Sequence, residues 1–190
     1  IALPAIAVGF LLTLLGRSKM QKQIGQVVLG FGILFLGMTV MSDALKPLRT
    51  NPAFLGYMIQ FGARPLIGVF AGMVFTAAIQ SSSAFTGLII SLALQDLIGL
   101  DSAIALILGS NIGTCITAML ASIGTNLTAR RAALAHVLFN VIGVIIFLPF
   151  IGPFVNLVAG TANTIAHQAA NAHTFFNIIN VTLFIPFIKP

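Results

Sequence analysis

Two polar interruptions inside strongly apolar sequence constrain this chain more than any other feature. Residues 80–83 read Gln80-Ser81-Ser82-Ser83, and a second interruption, Gly109-Ser110-Asn111-Ile112-Gly113-Thr114, lies within a later apolar stretch. In lipid, backbone N–H and C=O groups must be satisfied internally, so a broken helix survives only where it lines a cavity or packs against protein. Two such breaks, rich in hydroxyls and amides, predict a substrate and ion site in a membrane carrier.

The charge content indicates where the chain folds. Only 6% of its residues are charged and 58% are hydrophobic, whereas a soluble domain carries about 25% charged residues. We therefore expect an integral protein of the plasma (inner) membrane, a single transmembrane domain over residues 1–190 in contact with the lipid bilayer. The net charge of +6 does not predict a nucleic-acid partner, because the basic residues are spread among apolar segments. The chain begins inside an apolar segment without an initiator Met, which predicts a fragment of a longer protein.

The apolar segments predict an all-α fold of about five transmembrane helices. They cover about residues 1–15, 24–41, 103–123, 131–151 and 168–188, with the helix over 103–123 broken near residues 111–114. The arms on either side of residues 80–83 are each too short to span a bilayer. They predict either one broken helix or a re-entrant helical hairpin over about residues 65–95, with residues 80–83 at its tip.

The distribution of charge favours the hairpin. With a hairpin, one side of the membrane carries only basic residues: Arg17, Lys19, Lys22, Arg130, Arg131 and Lys189. The opposite side carries three basic and three acidic residues: Lys46, Arg49 and Arg64 with Asp43, Asp96 and Asp101. Because cytoplasmic loops are enriched in Lys and Arg, the purely basic side is predicted to be cytoplasmic.

An internal repeat occupies the C-terminal third of the chain. Residues 135–151 match residues 172–188 at ten of seventeen positions. Each copy places a His and an Asn four residues apart, on one helix face: His136 with Asn140, and His173 with Asn177. The repeat predicts two neighbouring helices. The polar face is either a proton relay or, as we favour, a set of bonds across the helix interface.

Residues 80–83 have the chemistry of an anion site. They provide three hydroxyls, an amide and backbone N–H groups, and a helix restarting near Ser83 would direct its positive N-terminal end at the tip. Phosphate suits such a site because its oxygens accept many hydrogen bonds. The alternative is a serine-rich kink or a hydrogen-bond cluster between helices.

The second interruption predicts a cation site. Asn111 and Thr114 can cap a second half-helix, and Gly109 and Gly113 permit close approach or unusual φ angles. Carbonyl groups released by the break could then hold Na⁺, which prefers oxygen ligands. The alternative is a packing surface built from small residues. We see no catalytic triad, metal cluster or nucleotide loop, so neither enzyme activity nor an organic cofactor is predicted.

These elements together resemble the sodium-dependent phosphate cotransporter family, of type II and its bacterial relatives. The resemblance rests on Gln80-Ser-Ser-Ser-Ala84, on residues 109–114 and on the segment from Ala129 to Asn140. It implies sodium-coupled secondary active transport of inorganic phosphate by alternating access, at a site between two inverted-topology halves. This chain looks like the second half, so the other would come from a missing N-terminal repeat or from a dimer partner.

The resemblance also implies roles for individual residues. Phosphate and sodium would contact the four residues of the first interruption, Gln80, Ser81, Ser82 and Ser83. The side chains that would hold Na⁺ are those of Ser81, Ser83, Asn111 and Thr114. Two residues depart from the family pattern: Cys115 replaces a Thr, and Phe85 replaces a small or hydroxylated residue. The alternative functions are a carrier of another small anion, such as a dicarboxylate or sulfate, and a non-transporting membrane partner that regulates phosphate signalling.

Overall fold

The computed structural model describes residues 1–187 and is all-helical over that range. The chain forms two compact units, Ile1–Lys46 and a second that begins at Pro47, where the sequence predicts one domain. The end of the predicted repeat at Ile188, and the basic Lys189, lie outside the described residues.

The first unit is a pair of helices, α1 (Ala2–Leu15) and α2 (Lys19–Leu45). Ser18 begins α2 with a capping box, in which its hydroxyl accepts from the Gln21 N–H and the Gln21 side chain accepts from the Ser18 N–H. Gly9 lies against the Leu29 backbone and Gly32 against the Ile6 backbone, so the two helices run antiparallel. Glycine at these contacts allows the backbones to approach closely.

Over its described residues, the second unit consists of seven α-helices joined by short turns. In order they are α3 (Pro52–Ala63), α4 (Pro65–Ile79), α5 (Ser82–Leu94), α6 (Leu100–Ala121), α7 (Leu127–Phe147), α8 (Ile151–Ala159) and α9 (Ile165–Phe184). Short 3₁₀ turns lie at Lys46–Thr50, Leu148–Phe150 and Ile185–Phe187. Pro65 cannot continue α3 because it lacks the required N–H and its ring clashes with the preceding turn, and α3 and α4 are bent by 115°.

Helix α6 is the centre of the second unit. It touches α3, α4, α5, α7, α8 and α9, and residues 102–111 are all buried. Beside it, the Phe147 ring packs edge-on against Phe154 and Phe176, with ring centroids 5.2 and 4.9 Å apart. The unit therefore has a protein-lined core, with α6 surrounded by other helices.

The predicted break in α6 is wrong. The helix continues without interruption through residues 111–114, because the polar side chains there bond within the helix. Asn111 Nδ2 donates to the Ile107 carbonyl and Thr114 Oγ1 donates to the Ser110 carbonyl, each at 2.8 Å. Gly124 is the one glycine with positive φ among the described residues, so Gly109 and Gly113 keep helical geometry.

The repeat helices begin before the predicted residues 131 and 168. Asn126 caps α7 by accepting from the Ala129 N–H at 2.9 Å, and the Thr164 side chain caps α9. Both α-helices end just before a proline-containing 3₁₀ turn, at Phe147 and Phe184, since proline interrupts helical hydrogen bonding.

The all-α membrane architecture is confirmed, with fewer clear spans than the five expected. Within residues 1–187, three segments are long and apolar enough to cross a bilayer: Lys19–Thr50, Leu100–Ala121 and Leu127–Ala159. The bent pair α3 and α4 adds a fourth if it is one span. Helix α1 has only 14 residues, and α9 carries His, Gln and Asn side chains that lower its hydropathy.

Candidate functional site

The serine tip, residues 80–83, begins with a two-residue break between α4 and α5. Gln80 ends α4 in the left-handed conformation, with φ of 59° and ψ of 24°, which is a common way to stop a helix. Ser81 then caps α5, because its Oγ accepts from the Ala84 N–H at 3.2 Å. Ser82 and Ser83 form the first turn of α5, so the break is narrower than the four residues expected.

The serine tip presents donors that the helix itself does not use. The N–H groups in the first turn of a helix have no intrahelical acceptor, which leaves those of Ser82 and Ser83 available. Gln80 and Ser83 are exposed, and Ser81 and Ser82 are half-buried. Among the described residues, the side chains of Gln80, Ser82 and Ser83 have no hydrogen-bond partner. These groups are chemically suited to an anion at the positive end of α5.

Helices α4 and α6 pack with their backbones in near contact. A Cβ added to Gly72 would collide with the Leu106 carbonyl, and one added to Gly109 would collide with the Val69 carbonyl. One added to Gly113 would collide with the Met73 carbonyl. Gly109 and Gly113 therefore act as a small-residue packing surface, which is the alternative interpretation of their spacing.

These contacts also bring the two polar segments close to each other. Residue numbers rise together along the contact, from Gly72 at Leu106 to Gly113 at Met73, Thr76 and Ala77, so α4 and α6 are parallel. The Gln80 N–H donates to the Thr76 carbonyl at 2.7 Å. The serine tip thus begins about one helical turn beyond Gly113.

Asn111 and Thr114 contribute oxygens without a helix break. Asn111 is buried and Thr114 half-buried, and both use a donor on their own helix. An amide oxygen and hydroxyl lone pairs remain as acceptors. The backbone carbonyls that a broken helix would release for Na⁺ stay within the helical ladder, so only side-chain oxygens remain here for a cation.

Two buried hydroxyls, on Thr76 and Ser110, lie beside this region and were missed from the sequence. Both residues are fully buried, and neither hydroxyl has a hydrogen-bond partner among the described residues. An unpaired buried hydroxyl costs about 1–3 kcal/mol, and oxygen is the ligand that hard cations prefer. Each is an isolated polar residue in an apolar run, a weak sequence signal. Among residues 1–187, no group of three His, Cys, Asp or Glu side chains is placed to hold a metal.

The polar faces of the repeat bond mostly within their own helices. Asn140 Nδ2 donates to the His136 carbonyl at 3.0 Å, and Asn177 Nδ2 donates to the His173 carbonyl at 2.8 Å. Neither ring, of His136 or of His173, has a hydrogen-bond partner in the described part of the chain. The His rings therefore make no bond across the helix interface in the described part of the chain. The contact that α7 does make there is through its backbone, because Cys115 Sγ of α6 donates to the His136 carbonyl at 3.6 Å.

The bond between α7 and α9 comes from Asn180, which the sequence reasoning missed. Asn180 is fully buried, and its Nδ2 donates to the Phe139 carbonyl at 3.4 Å. Its amide occupies the space that a side chain on Gly143 would fill. Gly143 and Asn180 occupy equivalent positions in the two copies of the repeat. A small residue in one copy opposite a polar residue in the other was the sequence signal that could have predicted their contact.

Comparison with known proteins gives a family match over most of the chain. The family model described as Na⁺/Pi-cotransporter matches residues 1–43 and 50–183. The uncharacterized protein YqeW of Bacillus subtilis is 40% identical over 146 residues, which are 75% of this chain and 46% of YqeW. No solved structure matches this chain significantly.

Two further relatives have names that refer to phosphate. The putative inorganic phosphate export protein YjbB of Salmonella typhimurium is 30% identical over 75% of this chain and 26% of its own length. The human sodium-dependent phosphate transport protein 2C is 42% identical over 43% of this chain and 14% of its own length. The chain thus spans less than half the length of these relatives. The match and the apolar helices identify an integral membrane protein of a transporter family.

Proposed function

Since this chain belongs to the Na⁺/Pi-cotransporter family, we propose that the protein carries inorganic phosphate across the plasma membrane, coupled to Na⁺, by alternating access. The observation that carries the proposal is the serine tip, a helix break whose unused N–H and hydroxyl donors lie at the positive end of α5. It is supported by the relatives named for phosphate transport or export. The chemistry is reversible binding, without a covalent step.

Phosphate would bind at the serine tip through neutral donors. The N–H groups of Ser82 and Ser83, their hydroxyls and the Gln80 amide can donate to phosphate oxygens, and the α5 dipole favours a negative charge there. A site without Lys or Arg holds an anion less tightly than an ion pair would. This suits a carrier, which must release its substrate in every cycle.

Sodium would bind next to the phosphate through oxygen ligands. The proposed ligands are the side chains of Ser81, Ser83, Asn111 and Thr114. Two unpartnered buried hydroxyls lie beside them, because Thr76 packs against Gly113 and Ser110 immediately precedes Asn111. A bound cation would lower the cost of burying the phosphate charge. Each charge that moves with the membrane potential contributes about 2.3 kcal/mol per 100 mV.

The remaining part of the site would come from outside this chain. Because the chain covers less than half of its relatives, we propose that a second repeat half, or a second copy of this half, faces the serine tip. Alternating access would then be the movement of one half against the other around the bound phosphate.

The test is uptake of labelled phosphate into proteoliposomes that contain the full-length protein. We expect uptake with an inward Na⁺ gradient, little uptake when K⁺ replaces Na⁺, and loss of uptake in Ser82→Ala. The matched control is Thr39→Ala, which removes an exposed hydroxyl bonded within α2 and should leave uptake unchanged.

Two further arms separate the alternatives. Competition by sulfate or dicarboxylates stronger than competition by phosphate would move the proposal to another anion. Efflux of labelled phosphate from preloaded proteoliposomes, measured beside uptake, shows in which direction the protein carries phosphate. If the folded protein moves no anion in either direction, with Na⁺ or with K⁺, transport is refuted. The remaining candidate is then a regulatory membrane protein.

A further inference from the structure

An apolar groove lies at the opposite end of α6 from the serine tip. A cavity of about 460 Å³ opens between α3, the turn joining α5 to α6, and the first residue of α9. Its apolar lining consists of Leu55, Met58, Ile59, Leu97, Ile98 and Ile165. Ser102 also lines it, but the Ser102 hydroxyl donates to the Met58 carbonyl at 2.6 Å. The interior therefore suits a hydrocarbon chain.

The position of the groove along α6 places it at the edge of the bilayer. Gly99, which lines the groove, immediately precedes the membrane-spanning helix α6. The end of a spanning helix lies where the hydrocarbon core gives way to lipid headgroups. A lipid acyl chain gains little by leaving the bilayer for an apolar groove, so any selectivity must come from the groove's mouth.

An acidic side chain that lines the groove lies beside a basic side chain that does not line it. Asp96 lines the groove, and its carboxylate is almost fully exposed, 4.0 Å from Arg49 Nη2. Arg49 is held in place because its Nε donates to the Gln95 carbonyl at 2.8 Å. At 4.0 Å the two charges make no direct hydrogen bond. The guanidinium and the carboxylate therefore both keep free bonding capacity.

The backbone of the turn maintains this arrangement. Asp96 has φ of 55°, a left-handed conformation that Asp adopts more readily than most residues. A strained turn that presents an acid beside a fixed guanidinium offers complementary charges to a zwitterion. The guanidinium fits a phosphate, and the carboxylate fits an ammonium group.

From this geometry we propose that the groove binds a zwitterionic phospholipid with a primary ammonium headgroup. One acyl chain lies among the apolar side chains, Arg49 donates to the lipid phosphate, and Asp96 accepts from the lipid ammonium. Phosphatidylethanolamine has this chemistry. Phosphatidylcholine lacks the N–H donors and phosphatidylglycerol lacks the cation.

The first test measures the lipids retained by the full-length protein in nanodiscs made from equal parts of the three phospholipids. We expect phosphatidylethanolamine to be enriched about fivefold over its share of the bilayer, the order expected of one charge contact at a lipid surface. Arg49→Gln should abolish the enrichment. Asp96→Gly removes the acceptor and tolerates the positive φ, so it should make phosphatidylethanolamine and phosphatidylcholine equivalent.

The control and the second readout keep the proposal falsifiable. Lys46→Gln removes a charge from another exposed acid–base pair, in which Lys46 Nζ lies 2.7 Å from Asp43 Oδ1, and should change nothing. Phosphatidylethanolamine with a photoreactive acyl chain should crosslink to the groove, at Leu55 or Ile59. Stronger retention of phosphatidylglycerol, unchanged retention in both variants, or no crosslinks because other protein covers the groove would each overturn the proposal.

Discussion

Gln80 occupies a backbone conformation that glutamine disfavours. It adopts the left-handed conformation that ends α4, where glycine would carry no steric penalty. For a non-glycine residue this conformation costs about 1–2 kcal/mol. Its exposed amide has no partner among the described residues, so the fold gains nothing from the side chain that would offset this cost. Backbone strain of this kind concentrates at functional sites.

Replacing Gln80 should therefore separate stability from transport. We expect Gln80→Gly to raise the free energy of unfolding by about 1 kcal/mol, because glycine relieves the strain, and to reduce phosphate uptake, because the amide is lost. Thermal unfolding in detergent and uptake by proteoliposomes measure the two effects. Gln80→Asn, which keeps an amide and tolerates the left-handed region, should retain part of the uptake. Full uptake in Gln80→Gly would exclude the side chain from the site.

Among the helices, the pairing of α4 with α6 holds the serine tip in position. Gly72, Gly109 and Gly113 bring the two backbones together, and each lies against a carbonyl of the other helix. In a membrane, packing of this kind replaces the hydrophobic drive between helices, since lipid is as apolar as the side chains it contacts. A small shift of α6 against α4 would also move Asn111 and Thr114 relative to the serine tip.

A single methyl group at this interface should be damaging. We expect Gly109→Ala to lower the free energy of unfolding by about 1–3 kcal/mol, because overpacking forces backbone shifts, even though alanine favours helix more than glycine does. The control is Gly37→Ala in α2, where an added Cβ meets no atom within 4 Å. This control should be neutral or slightly stabilising. Equal responses of the two variants in thermal unfolding would contradict the close packing.

Helices α7 and α9 meet through a reciprocal pair of residues. Gly143 provides the space and Asn180 fills it, at the position where the two copies of the repeat differ. We expect Gly143→Asn to destabilise the protein, because it places two amides in one space, and Asn180→Gly to leave a cavity. The double exchange should recover much of the loss measured by thermal unfolding. Strictly additive losses would show that the two residues are uncoupled.

The predicted orientation in the membrane rests on where the charges lie along each helix. Lys19 begins α2 and Lys46 follows its end, while Asp101 lies in the first turn of α6 and Arg130 in the first turns of α7. Helix α4 has 15 residues, about 22 Å of helix, which is less than the bilayer core of about 30 Å. A helix that enters with α6 from the Asp101 side would therefore end inside the membrane, at the serine tip.

This orientation can be measured by labelling single cysteines. In a Cys115→Ala background, Lys22→Cys and Arg131→Cys should react with a membrane-impermeant maleimide only from the cytoplasmic side, as the positive-inside rule requires. Asp101→Cys should react only from the opposite side. Cys115 is buried and should react poorly with the maleimide, so the Cys115→Ala background should show almost no labelling. Reaction of Arg131→Cys and Asp101→Cys from the same side would refute α6 as a span.

Local signals in the sequence were enough to determine the class of the protein and the helix break between α4 and α5. The charge-poor composition requires a membrane. Prolines and helix-capping side chains affect backbone hydrogen bonds only within a few residues, so a helix break could be recognised within residues 80–83. The packing role of Gly109 and Gly113, and the partnership of Asn180 with Gly143, were decided only by the tertiary structure. A polar or small residue in an apolar helix can break it, cap it or pack against a neighbour. Which of these occurs depends on the surface that faces it, and that surface comes from a distant part of the chain.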